Sequence, residues 1–367
     1  MKEVFYSDDT NAKPDYASYP PKEKFQAITG IIMERLFEHP KAFCAYSGGS
    51  DSDILIDLLE SARKLNPSLP EIKYAFFNTG LEMKAIKDHV KEISEKYGVE
   101  IEEIRSNPNI IQATRKYGLP FYSKTASRKL HDLQTHPEVP ISIYYEYVNS
   151  EDKSSKIDEL IEKYPNCAAL IHYITGTKAD NSPCTNAQLS ISSIKYFVDF
   201  INEFPPDFKI SERCCEVCKK RPAHKAQKGY EMVITGEREA EGGQRTVAKI
   251  NGSRCFYADS EGQFRLRPLY YVSDSDKAWY KETHGLRYSD AYETYGLKRT
   301  GCCGCSITAK ATKDLEIIGK YEPNVAKAAW NIFGKSYEYR RKYNEYKKKR
   351  MEEEKAEKAR KKAVDKE

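Results

Sequence analysis

No stretch of this 367-residue chain is apolar for long enough to cross a bilayer. Its first residues, MKEVFYSDDT, carry acids where an export signal would have an apolar core. The expectation is a soluble chain of a reducing, cytoplasmic compartment with no membrane partner. Two further absences narrow the ligand. There is no GxxxxGK(S/T) run, which excludes a Walker A loop, and no GxGxxG run, which removes support for a dinucleotide fingerprint. No internal repeat is visible, and no cysteine follows Cys305.

What is present suits a folded, decorated α/β protein. Hydrophobic residues make up 40% and charged residues 31%, enough for a real core. The net charge of +5 is too modest to call for a nucleic-acid partner by itself. Residues 1–22 are polar and proline-rich and read as an arm. From there apolar runs alternate with helical periodicity. KAFCAY, EIKYAFFNT and VEIEEIRS read as strands, with amphipathic helices before and between them, and such alternation predicts parallel strands with crossover helices. Residues 108–208 read as a mostly helical insertion within a domain spanning 23–250. TVAKI, SRCFYA and FRLRPLYYV read as further strands, with a turn at Glu261-Gly262. Residues 251–320 complete the domain. Residues 321–367 form a charged helix and tail, with i,i+4 ion pairs that fray at the end, or a nucleic-acid contact through RRKYNEYKKKR.

The chemistry begins at YSGGSDSD, residues 46–53. It follows a strand and opens a helix, where free N–H groups and the helix dipole favour an anion. Gly48 and Gly49 let backbone approach a ligand closely, and Ser47, Ser50 and Ser52 add hydroxyls. Asp51 reads as a Mg²⁺ ligand if the bound anion is ATP, or as a helix cap. Ten cysteines are many for an intracellular chain, and clustered ones there point to metal or redox chemistry. Cys44 reads as a core thiol, and Cys167, Cys184 and Cys255 as structural. Cys214, Cys215 and Cys218 form one knot, and Cys302, Cys303 and Cys305 another. Two separated thiolate pairs suit a tetrahedral zinc or a [4Fe-4S] cluster.

SGGSDS resembles the SGGxDS pyrophosphate-binding loop (PP-loop) of adenine nucleotide α-hydrolases. Further matches narrow the resemblance to the phosphoadenosine phosphosulfate (PAPS) reductase family. FFNTGLE is similar to its DTG-type loop, with Asn78 where Asp is usual. GLPFYSKTASRK resembles its G-x-P-x-x-S-K segment, and VITGEREAEGGQR its later G-x-R…E…R loop. RPLYYVSDSDKAWY resembles its P-L…W-x-x-x-D-V-W segment, from which Ser275 and Lys277 depart. GLKRTGCCGCSI resembles the G-x-x-R-x-G-C-x-x-C element of its cluster-bearing branch. The ordered matches cover roughly residues 40–310.

The resemblance implies a doubly wound, mostly parallel sheet of the adenine nucleotide α-hydrolase-like kind, with helical insertions and a C-terminal cysteine-bearing region. It implies an adenine nucleotide (ATP, PAPS or APS) on Ser47 to Ser52, with Asn78, Thr79 and Gly80 meeting the adenosine. Ser123, Lys124, Arg128, Gly236 and Arg238 would complete the nucleotide site, with Asp51, Lys124, Arg238 and Arg245 as the catalytic groups. It implies a [4Fe-4S] cluster rather than zinc on Cys214, Cys215, Cys302 and Cys305, with Cys218 as the alternative to Cys214. Sulfonucleotide-cleaving relatives carry a nucleophilic cysteine in a C-terminal E-C-G-x-H tail, which this chain lacks. The expected activity is therefore ATP-dependent adenylation and sulfur transfer to a nucleic acid or small molecule, served by a sulfur-donor protein. The alternatives are reduction of PAPS or APS to sulfite by a thiol reductant, and a non-catalytic nucleotide- or cluster-binding subunit.

Overall fold

The computed structural model describes residues 14–185, 191–241 and 255–364. The chain divides into two compact units. The first takes residues up to 110, then 217–303 and 316–326. The second takes 111–216, 304–315 and the chain from 327 on.

The first unit is built on a six-stranded sheet with strands β1 (Ala42–Ala45), β2 (Ile72–Asn78), β3 (Ile101–Arg105), β4 (Met232–Ile234), β5 (Phe256–Ala258) and β6 (Phe264–Leu266). The spatial order is β3-β2-β1-β4-β6-β5, and only the β5–β6 pair is antiparallel. The chain runs outward from β1 through β2 to β3 and later returns to β4 on the other side of β1. The carboxyl ends of β1 and β4 therefore flank a topological switch point, where open α/β sheets bind ligands.

Helices α1 (Pro21–Glu38), α2 (Ser50–Leu65) and α3 (Lys84–Tyr97) form where the sequence predicts helices, though α2 is not one-sided. Tyr16, within the stretch read as an arm, is buried and meets the Tyr271 ring edge-on. FRLRPLYYV contributes only Phe264–Leu266 to the sheet, because Pro268 lacks the N–H a ladder needs. TVAKI lies outside the described residues.

Helix α2 is buried almost all round. It carries three acids on its inner side, and burying a carboxylate is costly unless it is bonded. Each is bonded: Asp53 by the Tyr46 hydroxyl (2.5 Å) and His89 Nε2 (3.0 Å), Asp57 by the hydroxyls of Tyr97 (2.6 Å) and Tyr280 (2.7 Å), and Glu60 by Tyr74 (2.5 Å) and Arg63 (2.8 Å).

The second unit is helical. One cluster gathers Val139, Ile143, Leu160, Ile171 and Val198; another gathers Phe121, Leu130, Phe200, Ile210 and Tyr343. The C-terminal helix runs from Pro323 to Val364. Its i,i+4 pairs include Arg341–Glu345 at 3.1 Å. Glu354 bonds both Lys195 (2.8 Å) and Tyr196 (2.7 Å), which ties the distal part of the helix to its unit.

Candidate functional site: a polar cavity at the switch point

A cavity of about 490 Å³ opens at the carboxyl ends of β1 and β4. Residues 45–52 form one wall and Thr235–Glu241 another; Asp274, Lys277, Tyr292 and Lys298 to Thr300 complete it. Helix α2 starts on Gly49 with no side-chain cap, and the Ser50 N–H of its first turn meets the Tyr292 hydroxyl, so its positive end faces the cavity. Gly48 sits at φ +66, and a Cβ there would stand 2.8 Å from Ile86 Cγ2. A Cβ on Gly236 would stand 3.2 Å from the Asp51 carbonyl oxygen, so the β4 loop lies directly against the start of α2. The Ser47 and Ser52 hydroxyls are 2.7 Å apart, and Gly49 N–H donates to Ser47 Oγ at 3.3 Å. This closes the turn on itself.

Arg238 is buried. Its Nε donates to Asp51 Oδ1 (2.9 Å), Nη1 to the Val272 carbonyl (3.1 Å) and Nη2 to Asp274 Oδ1 (2.9 Å). Lys277 Nζ approaches the same Asp51 oxygen at 2.7 Å and also bonds Ser50 Oγ. Asp51 is thus neither a helix cap nor an open carboxylate; two cations converge on it. Lys298 and Arg299 are exposed at the rim, Arg299 with Glu241 at 3.9 Å. Basic side chains paired with acids around an uncapped helix start can exchange those partners for an anion's oxygens.

Ser47, Gly49, Ser50, Asp51, Ser52, Gly236 and Arg238 line this one cavity, with Gly48 shaping the turn. Asn78, Thr79 and Gly80 do not line this cavity. Asn78 Nδ2 donates to Glu103 (2.6 Å), its Oδ1 accepts from Gly80 N–H (2.8 Å), and Thr79 is fully buried with its hydroxyl on Glu82 (2.8 Å). Arg245 lies outside the described residues. Lys277 was visible only as a departure from the family pattern. The signal for it is its place one residue after the S-D-S-D helix start, where Ser273 and Asp276 form a reciprocal cap.

Ser123, Lys124 and Arg128 stand in the second unit. Ser123 caps the helix Lys124–Thr135 through Ala126 N–H, Lys124 is exposed, and Arg128 pairs with Glu212 at 2.8 Å. The cysteines of the two knots are distributed over both units. Cys214 is buried and Cys215 half-buried on the turn Arg213–Cys215 of the second unit. Cys218 belongs to the first unit, in a π-helical turn, and its thiol donates to the Pro108 carbonyl at 3.3 Å. Cys302 is half-buried; buried Cys303 donates its N–H to Leu81 O at 3.1 Å. In the second unit the C-terminal helix grips the stretch around Cys305. Tyr337 OH bonds Gly304 O, and Arg340 Nη1 donates to the carbonyls of Ser306 (2.8 Å) and Ile307 (3.1 Å). Ser336 donates to Pro120 O at 2.6 Å, beside the Ser123–Lys124 turn. Arg340 and Tyr343, read as parts of a nucleic-acid stripe, point inward, and Tyr343 is buried.

The family model of the phosphoadenosine phosphosulfate reductase domain matches residues 41–206 and 198–308. The chain belongs to that family. Similar solved structures include a PAPS reductase from Candida auris in a phosphate complex (12% identity, 77% of this chain and 95% of that one, TM-score 0.36). The U34-tRNA thiolase NcsA from Methanococcus maripaludis, with its [4Fe-4S] cluster, is also similar (15%, 88% and 79%, TM-score 0.35). So is an NH3-dependent NAD synthetase from Campylobacter jejuni (12%, 88% and 96%, TM-score 0.32). No curated protein sequence matches the chain. As a PAPS reductase family member it is placed among enzymes of nucleotide and sulfur chemistry. Among the described residues no helix is long and apolar enough to cross a membrane.

Proposed function

We propose that this chain is an adenine-nucleotide enzyme of sulfur metabolism that activates an acceptor with ATP and directs sulfur transfer to it. The observation that carries the reading is the convergence of Arg238 and Lys277 on the uncapped start of α2, inside a cavity of nucleotide size. The phosphates would lie on the first turn of α2, facing the Arg238 and Lys277 cations that Asp51 holds at the cavity wall. Lys124, Arg128 and Arg245 would supply further positive charge. An acceptor oxygen attacks the α-phosphorus, the bond to pyrophosphate breaks, and pyrophosphate leaves with the electron pair. A hydrosulfide or persulfide from a donor then displaces AMP, forming the carbon–sulfur bond as the carbon–oxygen bond breaks.

The thiol-rich knots fit a soft metal centre by donor chemistry, since paired thiolates at C-x-x-C spacing suit iron–sulfur clusters and zinc alike. In our reading Cys214, Cys215, Cys302 and Cys305 hold a [4Fe-4S] cluster, with Cys218 as the alternative to Cys214. A bound cluster would supply sulfur-binding or electron-transfer capacity.

A second reading, reduction of PAPS or APS, is favoured by one observation: Asp51, the carboxylate that would hold Mg²⁺ for ATP, is engaged by two cations. There a thiol sulfur attacks the sulfate sulfur, the nucleoside phosphate leaves, and a second thiol releases sulfite as a disulfide forms. Anaerobically purified protein incubated with labelled ATP plus a sulfur donor, or with PAPS plus a dithiol, separates the two. Pyrophosphate and AMP support transfer, whereas sulfite from PAPS sinks it. Iron and sulfide analysis tests the metal centre, and stoichiometric zinc in a colourless anaerobic preparation refutes the cluster.

A further inference from the structure

A phosphate-binding loop usually holds Mg²⁺ with a loop hydroxyl and a nearby carboxylate, and the ion bridges them to phosphate oxygens. Here Ser50 and Asp51 supply that pair in consecutive positions at the start of α2. The group between them is the Lys277 ammonium, on Asp51 Oδ1 at 2.7 Å and on Ser50 Oγ. An ammonium has three donors, so two bonds to the protein leave a third, and Lys277 lines the cavity. We propose that Lys277 is a resident cation standing where a divalent metal would, so that the chain binds the phosphate- or sulfate-bearing end of its nucleotide without metal. This rests on the adenine-nucleotide reading of the cavity.

The position of Lys277 is built rather than incidental. It lies on the helix Asp274–Thr283, whose start is locked by the Ser273–Asp276 reciprocal cap. Asp276 is itself fixed by a buried ion pair with Lys24 at 2.6 Å, which ties this helix to α1. The Tyr288 ring lies 5.6 Å from Nζ. The helix that carries Lys277, and the ring beside its ammonium, are thus set by groups outside the PP-loop. Charge is also matched: Lys277 and Arg238 together bring two positive charges to Asp51, the formal charge of one Mg²⁺. A metal entering this place must first displace both cations from Asp51 Oδ1. Mg²⁺ sheds its own water reluctantly, so that exchange is unfavourable. A lysine is a point charge on a flexible stem, and so can follow phosphate or sulfate oxygens of differing geometry.

The test is calorimetric titration of the full-length chain with ATP and, separately, with PAPS, each in excess EDTA and in excess Mg²⁺. For wild type, affinity for at least one nucleotide in EDTA should fall within about threefold of that in Mg²⁺. Lys277→Gln should weaken binding in EDTA by about tenfold to a hundredfold, the loss of one charge-assisted bond, with Mg²⁺ recovering most of it. Lys277→Arg should retain most of the metal-free affinity. A wild-type chain needing Mg²⁺ by more than about tenfold overturns the proposal, as does a folded Lys277→Gln variant that binds like wild type in EDTA. If Lys277→Gln does not fold, Lys277→Arg and the wild-type EDTA comparison decide. Absence of binding by wild type to either nucleotide under both conditions overturns the nucleotide reading itself, and the lysine's role falls with it.

Discussion

The loops after β1 and β2 leave adjacent parallel strands and both match motifs of one family, yet they have opposite fates. The β1 loop bonds Ser47, Gly49 and Ser52 to one another, yet it still presents charge to the cavity: α2 starts with no side-chain cap, Ser47 is exposed, and Asp51 draws Arg238 and Lys277 to the cavity wall. The β2 loop spends its groups on itself, Asn78 on Glu103 and Gly80, Thr79 on Glu82. A loop becomes a site when its polar groups are held in place by partners a ligand can replace. It inclines to structure when they are satisfied within local bonds, buried for Thr79 on Glu82 and solvent-facing for Asn78 on Glu103 and Gly80. The same division recurs inside SDSD. Asp51 and Asp53 are two residues apart, hence about 200° apart around the helix, so one faces the cavity and the other the core.

The sharpest way to break this comparison is on the buried side. Asp53→Ala removes the partner of both Tyr46 and His89 in a site 2% exposed and leaves two polar groups without a bond. The expected cost is about 3 kcal/mol in urea unfolding, with nucleotide affinity of the folded protein little changed. A loss of affinity with intact stability would mean that Asp53, too, belongs to the site. On the cavity side, Arg238→Ala should add a loss of ligand binding that Asp53→Ala does not show. Removing a guanidinium bonded to Asp51, Val272 and Asp274 should weaken nucleotide binding about a hundredfold, two charge-assisted bonds' worth. Affinity within threefold of wild type in direct titration would refute the cavity as the nucleotide site.

Much of the frame was legible because period and punctuation are local. The first three strands, the helices between them and the glycine-marked turn at Gly48 all declare themselves within a dozen residues. Less legible was anything fixed by partners distant in the chain. Lys277 reaches Asp51 across more than two hundred positions, and no pattern near either residue announces the pair. Asn78 and Thr79 fit a ligand loop in sequence, but Glu103 on the neighbouring strand and Glu82 one turn on had prior claim to their donors. The basic C-terminal segment read as solvated or nucleic-acid-binding because charge dominates its composition. Its inward members, Arg340 and Tyr343, are set by helical phase against a loop some thirty residues earlier and a turn much farther back.

A smaller effect tests the closed loop. Thr79→Val deletes the hydroxyl on Glu82 while keeping the shape, and should cost about 1 kcal/mol in unfolding and leave nucleotide affinity unchanged. If adenosine sits on Asn78 to Gly80, as the family pattern implies, affinity falls instead and the division between the two loops is wrong.

The smallest expected effect lies at the seam between α2 and α3. His89 is 3% exposed, and its burial, the largest single influence, would lower its pKa; the bond and charge of Asp53, with Glu92 adding to them, outweigh it and leave the value raised. A histidine whose folded pKa stands above its unfolded value contributes stability that is fully present below the unfolded pKa. That contribution disappears as pH rises through the folded value. Wild type should therefore lose up to about 1 kcal/mol between about pH 6 and about pH 8 relative to His89→Gln, which keeps a donor toward Asp53 but carries no titrating charge. Parallel stability curves for the two proteins over that window would show that Asp53 is held by a neutral imidazole. The contrast with Asp51, held by full charges, would then be complete: formal cations on the side that meets the ligand, neutral donors on the side that meets the core.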